Sequence, residues 1–247
     1  MRVLRHDLVD STNERAFAAL AAGEAQDGDV HAARGQTRGR GRLGRAWESP
    51  AGEGLYFSLV HLPEPPAPPA PAVTLAAGLA ALDLVRSLGL GRARLDWPND
   101  VVVKGAKLAG ILIESRGFAP ERPHFVIGVG LDVGPAAFST ELAAERAVTS
   151  LAHLGVTRTP ESLIEPLAER LALRLLQARE RADELALDYM AGTDLAGVEV
   201  GVRLADGLHR GRFAGLDTGR GLLLVGSESA RWIDLAHVQG IERLAGL

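Results

Sequence analysis

Cysteine is absent from the 247 residues. Disulfides, thiolate nucleophiles and cysteine-held metals are therefore excluded. Aromatic residues make up only 4% and the net charge is −4. An arginine-glycine module that binds RNA or DNA needs a basic surface and stacking rings, so that class is disfavoured. There is no run of about 18 apolar residues, and Met1-Arg2-Val3 does not open a signal peptide. A cytoplasmic protein without membrane contact is expected. The seven histidines are scattered from His6 to His237 without ligand spacing, so no resident metal site is expected. Lysine is nearly missing as well. Of 27 basic residues only Lys104 and Lys107 are lysine. Two readings fit: chance, or at least one site that needs a compact point charge able to turn among several oxygens, which a planar guanidinium cannot do.

What is present is a 47% hydrophobic chain, enough for one large domain or one domain with a small addition. Its richest stretch is Arg34 to Trp47. Gly35, Gly39, Gly41 and Gly44 alternate there with Arg34, Arg38, Arg40, Arg42 and Arg45, and no carboxylate lies between Asp29 and Glu48. Glycines allow close backbone approach, and guanidinium forks suit carboxylates and phosphates. The stretch reads as an anion-holding loop.

Around it the chain predicts a strand at 3–9, then a helix to Ala22 begun by a Ser11/Glu14 capping box, in which Asn13 is one more capping residue. Strands follow at 30–33 and 55–60. Six prolines between Pro63 and Pro71 give a polyproline-like surface loop, and 73–88 gives a buried helix. Trp97-Pro98-Asn99-Asp100 breaks an extended run. Strands at 101–103, 107–115 and 125–133 then form an antiparallel centre, turning at Lys104-Gly105-Ala106. Gly110, Gly128 and Gly130 sit where side chains would crowd a pocket. Helices are expected at 149–154 and from Thr159-Pro160 to Tyr189, the latter interrupted near Pro166. Short strands at 198–204, 209–216, 221–225 and 230–233 make a β module at the end of the chain.

Three stretches together resemble the biotin protein ligases, the biotin–[acetyl-CoA-carboxylase] ligases. They are Gly39-Arg40-Gly41-Arg42-Leu43-Gly44-Arg45-Ala46-Trp47, then Trp97-Pro98-Asn99-Asp100 with Lys107 to Glu114, and Gly128-Val129-Gly130-Leu131-Asp132. The likeness spans essentially the whole chain. It implies an α/β (α+β) fold: a mixed, mostly antiparallel sheet with helices on one face, as in class II aminoacyl-tRNA synthetases. A small SH3-like β-barrel would follow, dividing the chain into 1–195, the biotin- and ATP-binding catalytic domain, and 196–247. It implies ATP-dependent activation of biotin to biotinyl-5′-AMP, with Mg²⁺ accompanying ATP. Biotin then passes to one lysine of a biotin carboxyl carrier protein, a subunit of acetyl-CoA carboxylase. The chain opens directly on the catalytic domain, leaving no DNA-binding helix-turn-helix. The likeness also allows a homodimer. A lipoate or octanoate ligase or transferase of the same superfamily is the alternative, but it should lack the Gly-Arg-Gly-Arg loop.

The same resemblance assigns residues. Lys107, Arg42 and Asp100 are catalytic, with Lys107 bridging the biotin carboxylate and the α-phosphate and Asp100 orienting or deprotonating the carrier lysine. Ser11, Thr12, Gln36, Gly39, Arg40, Arg42, Lys107, Gly110 and Ile111 bind biotin. Arg42, Arg45, Trp47, Asn99, Lys107 and Asp132 bind ATP or the adenylate. Tyr56 and Trp97 read as core or wall, Glu114 as the partner of an arginine, and Lys104 as a solvated turn residue. Two features depart from the pattern. Asp132 stands where the family usually has asparagine, and a carboxylate there would repel phosphate. Arg243 matches a C-terminal arginine that serves ATP only loosely.

Overall fold

The computed structural model describes residues 1–117, 123–227 and 229–244. Seven strands form one sheet: β1 (Val3–Val9), β2 (Val30–Gln36), β3 (Gly54–His61), β4 (Arg94–Asp96), β5 (Asp100–Val103), β6 (Ala106–Glu114) and β7 (Phe125–Asp132). Their spatial order is β1-β2-β3-β7-β6-β5-β4. Only β1 and β2 run parallel, and the helix α1 (Thr12–Ala21) supplies the crossover that a parallel pair requires. The sheet is mixed and mostly antiparallel, as expected. A second, five-stranded antiparallel sheet holds β8 (Glu199–Leu204), β9 (Gly207–Asp217), β10 (Gly221–Val225), β11 (Ala230–Ile233) and β12 (Gly240–Arg243), in the order β11-β10-β9-β8-β12. Four of these strands match the sequence-based reading, while β12, which pairs with β8, is additional.

Helices α2 (Ala70–Ser87), α4 (Ile164–Glu180) and α5 (Ala182–Thr193) bury their apolar sides with Leu55, Phe57, Leu59, Ile127 and Leu131 in the main core. That core continues to Val200, Val202 and Phe213 of the second sheet. Helix α2 is long and apolar enough to span a membrane, but 67% of it is buried inside the protein. Helix α1 departs from the one-face arrangement. Its Ala16 and Phe17 pack with Val60 and Val126 in a separate cluster, and these residues alternate with the core-facing ones along β3 and β7. Helix α1 therefore covers the opposite face of the sheet.

Several local expectations change. Ser11 precedes α1 without a side-chain cap bond, and Glu14 turns instead to Arg116 and Arg40. Segment 149–154 is a run of turns rather than a helix. Tertiary hydrogen bonds decide it: Thr149 N donates to the Lys107 carbonyl, and Leu151 N and Ala152 N donate to the carbonyls of Asp132 and Val133. The proline-rich loop is shorter than expected, because Pro71 is accepted in the first turn of α2, where its missing N–H costs nothing. For the same reason Pro166 does not break α4. The break falls at Arg181 instead (φ −143°, ψ 55°). A short helix, α3 (Thr140–Glu145), was not foreseen and is capped by Ser139.

Candidate active site

On the α1 face the side chains become small where the sheet passes beneath the arginine-glycine loop. Gly110 pairs with Gly130, and Leu112 with Gly128, across β6 and β7. A Cβ on Gly128 would stand 2.5 Å from Asn13 Oδ1, and one on Gly130 would stand 2.5 Å from the Trp47 ring. These glycines leave room for residues folded over the sheet, and a pocket of about 110 Å³ opens between sheet, helix and loop.

The expected residues that line the pocket come from four stretches of the sequence. Ser11 and Thr12 come from the start of α1, Gln36 from the end of β2, and Arg40, Arg42, Arg45 and Trp47 from the loop. Asn99, Asp100, Lys107, Gly110 and Ile111 come from β5, β6 and the turn before them. The loop is tied at its base by Gln36 N to the Ser49 carbonyl (3.2 Å) and Trp47 N to the Gly39 carbonyl (3.0 Å). Its tip is a single 3₁₀ turn at Arg42–Gly44 with left-handed Leu43 and Gly44 (φ 58° and 71°). Leu43 is 87% exposed there.

Lys107 is the centre of charge. Its Nζ lies 2.7 Å from Asp100 Oδ1 and 5.2 Å from the centroid of the Trp47 ring. Its backbone is held by the 147–149 segment, with Lys107 N donating to the Ala147 carbonyl (2.9 Å). Burial pushes the Asp100 carboxyl above the usual carboxylate range, and Lys107 pulls it back. Lys104, by contrast, is exposed. It and Gly105 both have positive φ (52° and 82°), the signature of a two-residue hairpin turn.

The floor is polar and internally bonded. Ser58 Oγ lies 2.7 Å from Thr12 Oγ1 and 2.5 Å from Asn13 Oδ1, and Asn13 Nδ2 donates to Glu114 (2.7 Å). Arg40 pairs with Glu14 (2.5 Å) and Glu114 (3.3 Å), so Glu114 is indeed an arginine's partner. Arg116 donates to Glu14 as well and holds its pKa down to about 2, against desolvation.

Two expected residues do not line the pocket. Gly39 lies under the loop stem, where a Cβ would stand 2.4 Å from the Trp47 carbonyl. Its glycine serves the fold of the loop. Asp132 faces a smaller hollow beside the pocket, formed with Glu48, Phe138 and Leu142 and shared with Trp47, Lys107 and Arg146. It is 5% exposed. Burial pushes its pKa up to about 8, with Lys107 and Arg146 opposing and Glu48 reinforcing. A carboxyl that keeps its proton near neutrality carries no charge to repel phosphate. Asn99 lines the pocket, but its Nδ2 is committed to the Ile111 carbonyl (2.9 Å). Arg243 donates to the Asp194 carbonyl (2.6 Å), away from the pocket. Trp97, expected as core or wall, belongs to the main core. It is buried edge-on against Tyr189, and its Nε1 donates to the Val238 carbonyl (3.3 Å). Tyr56 is buried, with its hydroxyl donating to the Pro50 carbonyl (2.9 Å).

Sequence reasoning missed Asn13 as part of the site, and it missed Arg146, Ser49 and Ser58 altogether. Arg146 comes from the connection after α3 and lines both hollows. No spacing rule points to it. Among the described residues no group of three or more His, Asp or Glu could hold a metal.

Comparison with known proteins gives this geometry its context. The chain is 39% identical over 202 residues to the biotin–[acetyl-CoA-carboxylase] ligase of Mycobacterium tuberculosis, covering 80% of this chain and 73% of that protein. It is 32% identical over 237 residues to the ligase of the same name from Paracoccus denitrificans, covering 93% and 96%. It spans about half (52%) of the bifunctional ligase/repressor BirA of Escherichia coli, at 33% identity. In three dimensions it resembles the biotin protein ligase of Aquifex aeolicus in complex with biotin and ATP, with a TM-score of 0.81, 27% identity, and coverage of 98% and 99%. Residues 6–132, which hold every pocket residue named above except Arg146, match the model of the biotin/lipoate A/B protein ligase family. The chain belongs to that family.

Proposed function

We propose that this protein is a biotin–[biotin carboxyl-carrier protein] ligase. It joins biotin to ATP, giving biotinyl-5′-AMP and pyrophosphate, and then passes biotin to one lysine of a carrier protein. The observation that carries this reading is the seat of Lys107, half-buried between Asp100 and Trp47 in an arginine-lined pocket. In the first step a biotin carboxylate oxygen attacks the α-phosphorus and the bond to pyrophosphate breaks. Both reactants are anions, and Lys107 and Arg42 offset their repulsion. Mg²⁺ enters with ATP as part of that substrate.

The mixed anhydride is easily hydrolysed, and the Trp47 ring with the loop above it excludes water. In the second step the carrier's neutral amine attacks the anhydride carbonyl, and AMP leaves with the bonding electrons. Asp100, its basicity raised by burial, takes the proton. Asp100 is paired with Lys107, so the arriving carboxylate and phosphate draw Lys107 away and free it. Ser11, Thr12, Gln36, Arg40, Gly110 and Ile111 are assigned to the biotin end. Arg45 and Trp47, with Asn99 as backbone support, are assigned to the nucleotide end, and Asp132 lies beyond Trp47.

On this reading residues 1–195 bind both substrates and 196–247 form an SH3-like barrel. The enzyme acts in the cytoplasm, alone or as a homodimer, on the carrier subunit of acetyl-CoA carboxylase, without DNA or membrane. The Gly39-Arg40-Gly41-Arg42 loop, which a lipoate or octanoate ligase should lack, supports biotin over lipoate or octanoate ligation.

Purified protein with ATP, Mg²⁺ and biotin should release pyrophosphate and label a carrier domain for avidin. Labelling with octanoate but not biotin would refute the reading. Lys107→Ala should lower pyrophosphate release by about 100-fold or more, on the scale of losing a central electrostatic group, while the melting temperature stays within a few degrees. Normal release by this variant would refute the bridging role.

A further inference from the structure

The polar groups beneath the pocket form a chain of hydrogen bonds, and it passes through a residue that no motif marks. Glu114 accepts from Asn13 Nδ2 (2.7 Å), and Asn13 Oδ1 accepts from Ser58 Oγ (2.5 Å). Ser58 Oγ also lies 2.7 Å from the Thr12 hydroxyl, and the two share a hydrogen bond. Thr12 N–H donates to Gln36 Oε1 (2.8 Å). The other end of that amide, Nε2, donates to Ser49 Oγ (2.9 Å), and the Ser49 hydroxyl donates to the Trp47 carbonyl (3.1 Å). The Thr12 hydroxyl also lies 3.3 Å from Gln36 Oε1, so Thr12 touches both Ser58 and Gln36.

Ser49 is nine-tenths buried and sits at the crossing of the loop's two ends. A Cβ on Gly39 would stand 2.6 Å from its Oγ, so the incoming backbone lies directly on it. The Trp47 ring then covers Gly110 and Gly130 and faces Lys107. On the ligase reading above, on which this inference rests, Gln36 belongs to the biotin end and Trp47 to the nucleotide end. Ser49 is the side chain that bonds to both.

We propose that Ser49 is a positioning residue that couples biotin capture at Gln36 to the seat of Trp47, so that each substrate tightens the binding of the other. A ligand bonded to Gln36 holds the amide in the orientation that Ser49 needs. Ser49 in turn fixes the peptide that carries Trp47. Coupling between sites is reciprocal, and a link of one hydrogen bond is worth about fivefold in affinity.

The test uses the full chain and an ATP analogue with a methylene bridge between the α- and β-phosphorus, which cannot be turned over. Its affinity is measured by calorimetry with and without saturating biotin. In the wild type, biotin should tighten analogue binding by about fivefold. In Ser49→Ala that factor should fall toward one, with a melting temperature within a few degrees of the wild type. A merely structural role would weaken both ligands and leave the factor unchanged, and that result overturns the proposal, as does a wild-type factor of one. If the wild type makes no biotinyl-adenylate at all, the ligase reading itself fails. If it makes the adenylate and Ser49→Ala keeps the factor, only the coupling fails.

Discussion

Along β7, Phe125, Ile127, Val129 and Leu131 join the main core, whereas Val126, Gly128, Gly130 and Asp132 point to the side of α1. Strand β3 divides in the same way, with Leu55, Phe57 and Leu59 inward and Tyr56, Ser58 and Val60 outward. Identical backbone thus serves two purposes that alternate residue by residue. One face is filled with large apolar side chains that exclude water. The other is emptied by glycines and lined with hydroxyls and carboxyls that bond one another. Three consecutive positions, Gly130, Leu131 and Asp132, sample the contrast most finely, and substitutions there should separate stability from ligand binding.

Gly130→Val should have the largest effect. Valine suits a strand, and Gly130 has no positive φ to lose. The added Cβ, however, would lie 2.5 Å from Trp47 Cε2, so the indole must leave its seat over β6 and β7. Adenylate formation should fall below detection while far-ultraviolet circular dichroism stays that of the wild type. A variant with near-normal pyrophosphate release would show that the seat of Trp47 is unimportant.

Leu131→Ala should do the reverse. Leu131 is 2% exposed, and its strand neighbours are Leu55 and Ala109. Truncating a buried leucine costs about 2–5 kcal/mol, a large part of the stability of an ordinary domain. Urea unfolding should show that loss, while KM for biotin and ATP, measured well below the melting range, stays within about twofold of the wild type, since no pocket atom moves. An unfolding curve unchanged from the wild type would contradict the assignment of this face to the core.

The contrast explains what the sequence could and could not disclose. Gly110, Gly128 and Gly130 stood out because a glycine in a strand is a local anomaly, and the loop and Lys107 stood out through composition. Whole faces were harder to see. Asn13 read as a helix cap because its real partners, Ser58 and Glu114, are 45 and 101 residues away. Ser49 and Ser58 carry no local signal, because their meaning lies entirely in contacts across strands. The position of α1 on the pocket face depends on the parallel pairing of β1 and β2, which short strands do not announce. Segment 149–154 misled for the opposite reason: its local preferences yielded to backbone bonds with β6 and β7.

Asp132→Asn should give the smallest effect of the three, and one that depends on pH. In the folded protein the carboxyl titrates at about 8 rather than at 3.8, chiefly because it is buried. Between about pH 4 and pH 8 the native state therefore keeps a proton that the unfolded chain has released. Stability contributed by this group is fully present below pH 4, falls as pH rises through that window, and levels off above it. Asparagine has no proton to lose and can offer the same pattern of one donor and one acceptor. The variant should match the wild type near pH 4 and gain progressively toward pH 8. Tenfold in a proton equilibrium is about 1.4 kcal/mol, but local relaxation and entry of water soften such penalties, so a gain on the order of 2 kcal/mol at pH 8 is expected. Lys107, Arg146 and Glu48 face the same hollow and are present in both proteins, so the difference between the two unfolding curves isolates Asp132. A stability difference that is the same at pH 5 and pH 8 would mean that the carboxyl is ionised in the folded protein, and that the pocket face tolerates a charge its apolar counterpart could not.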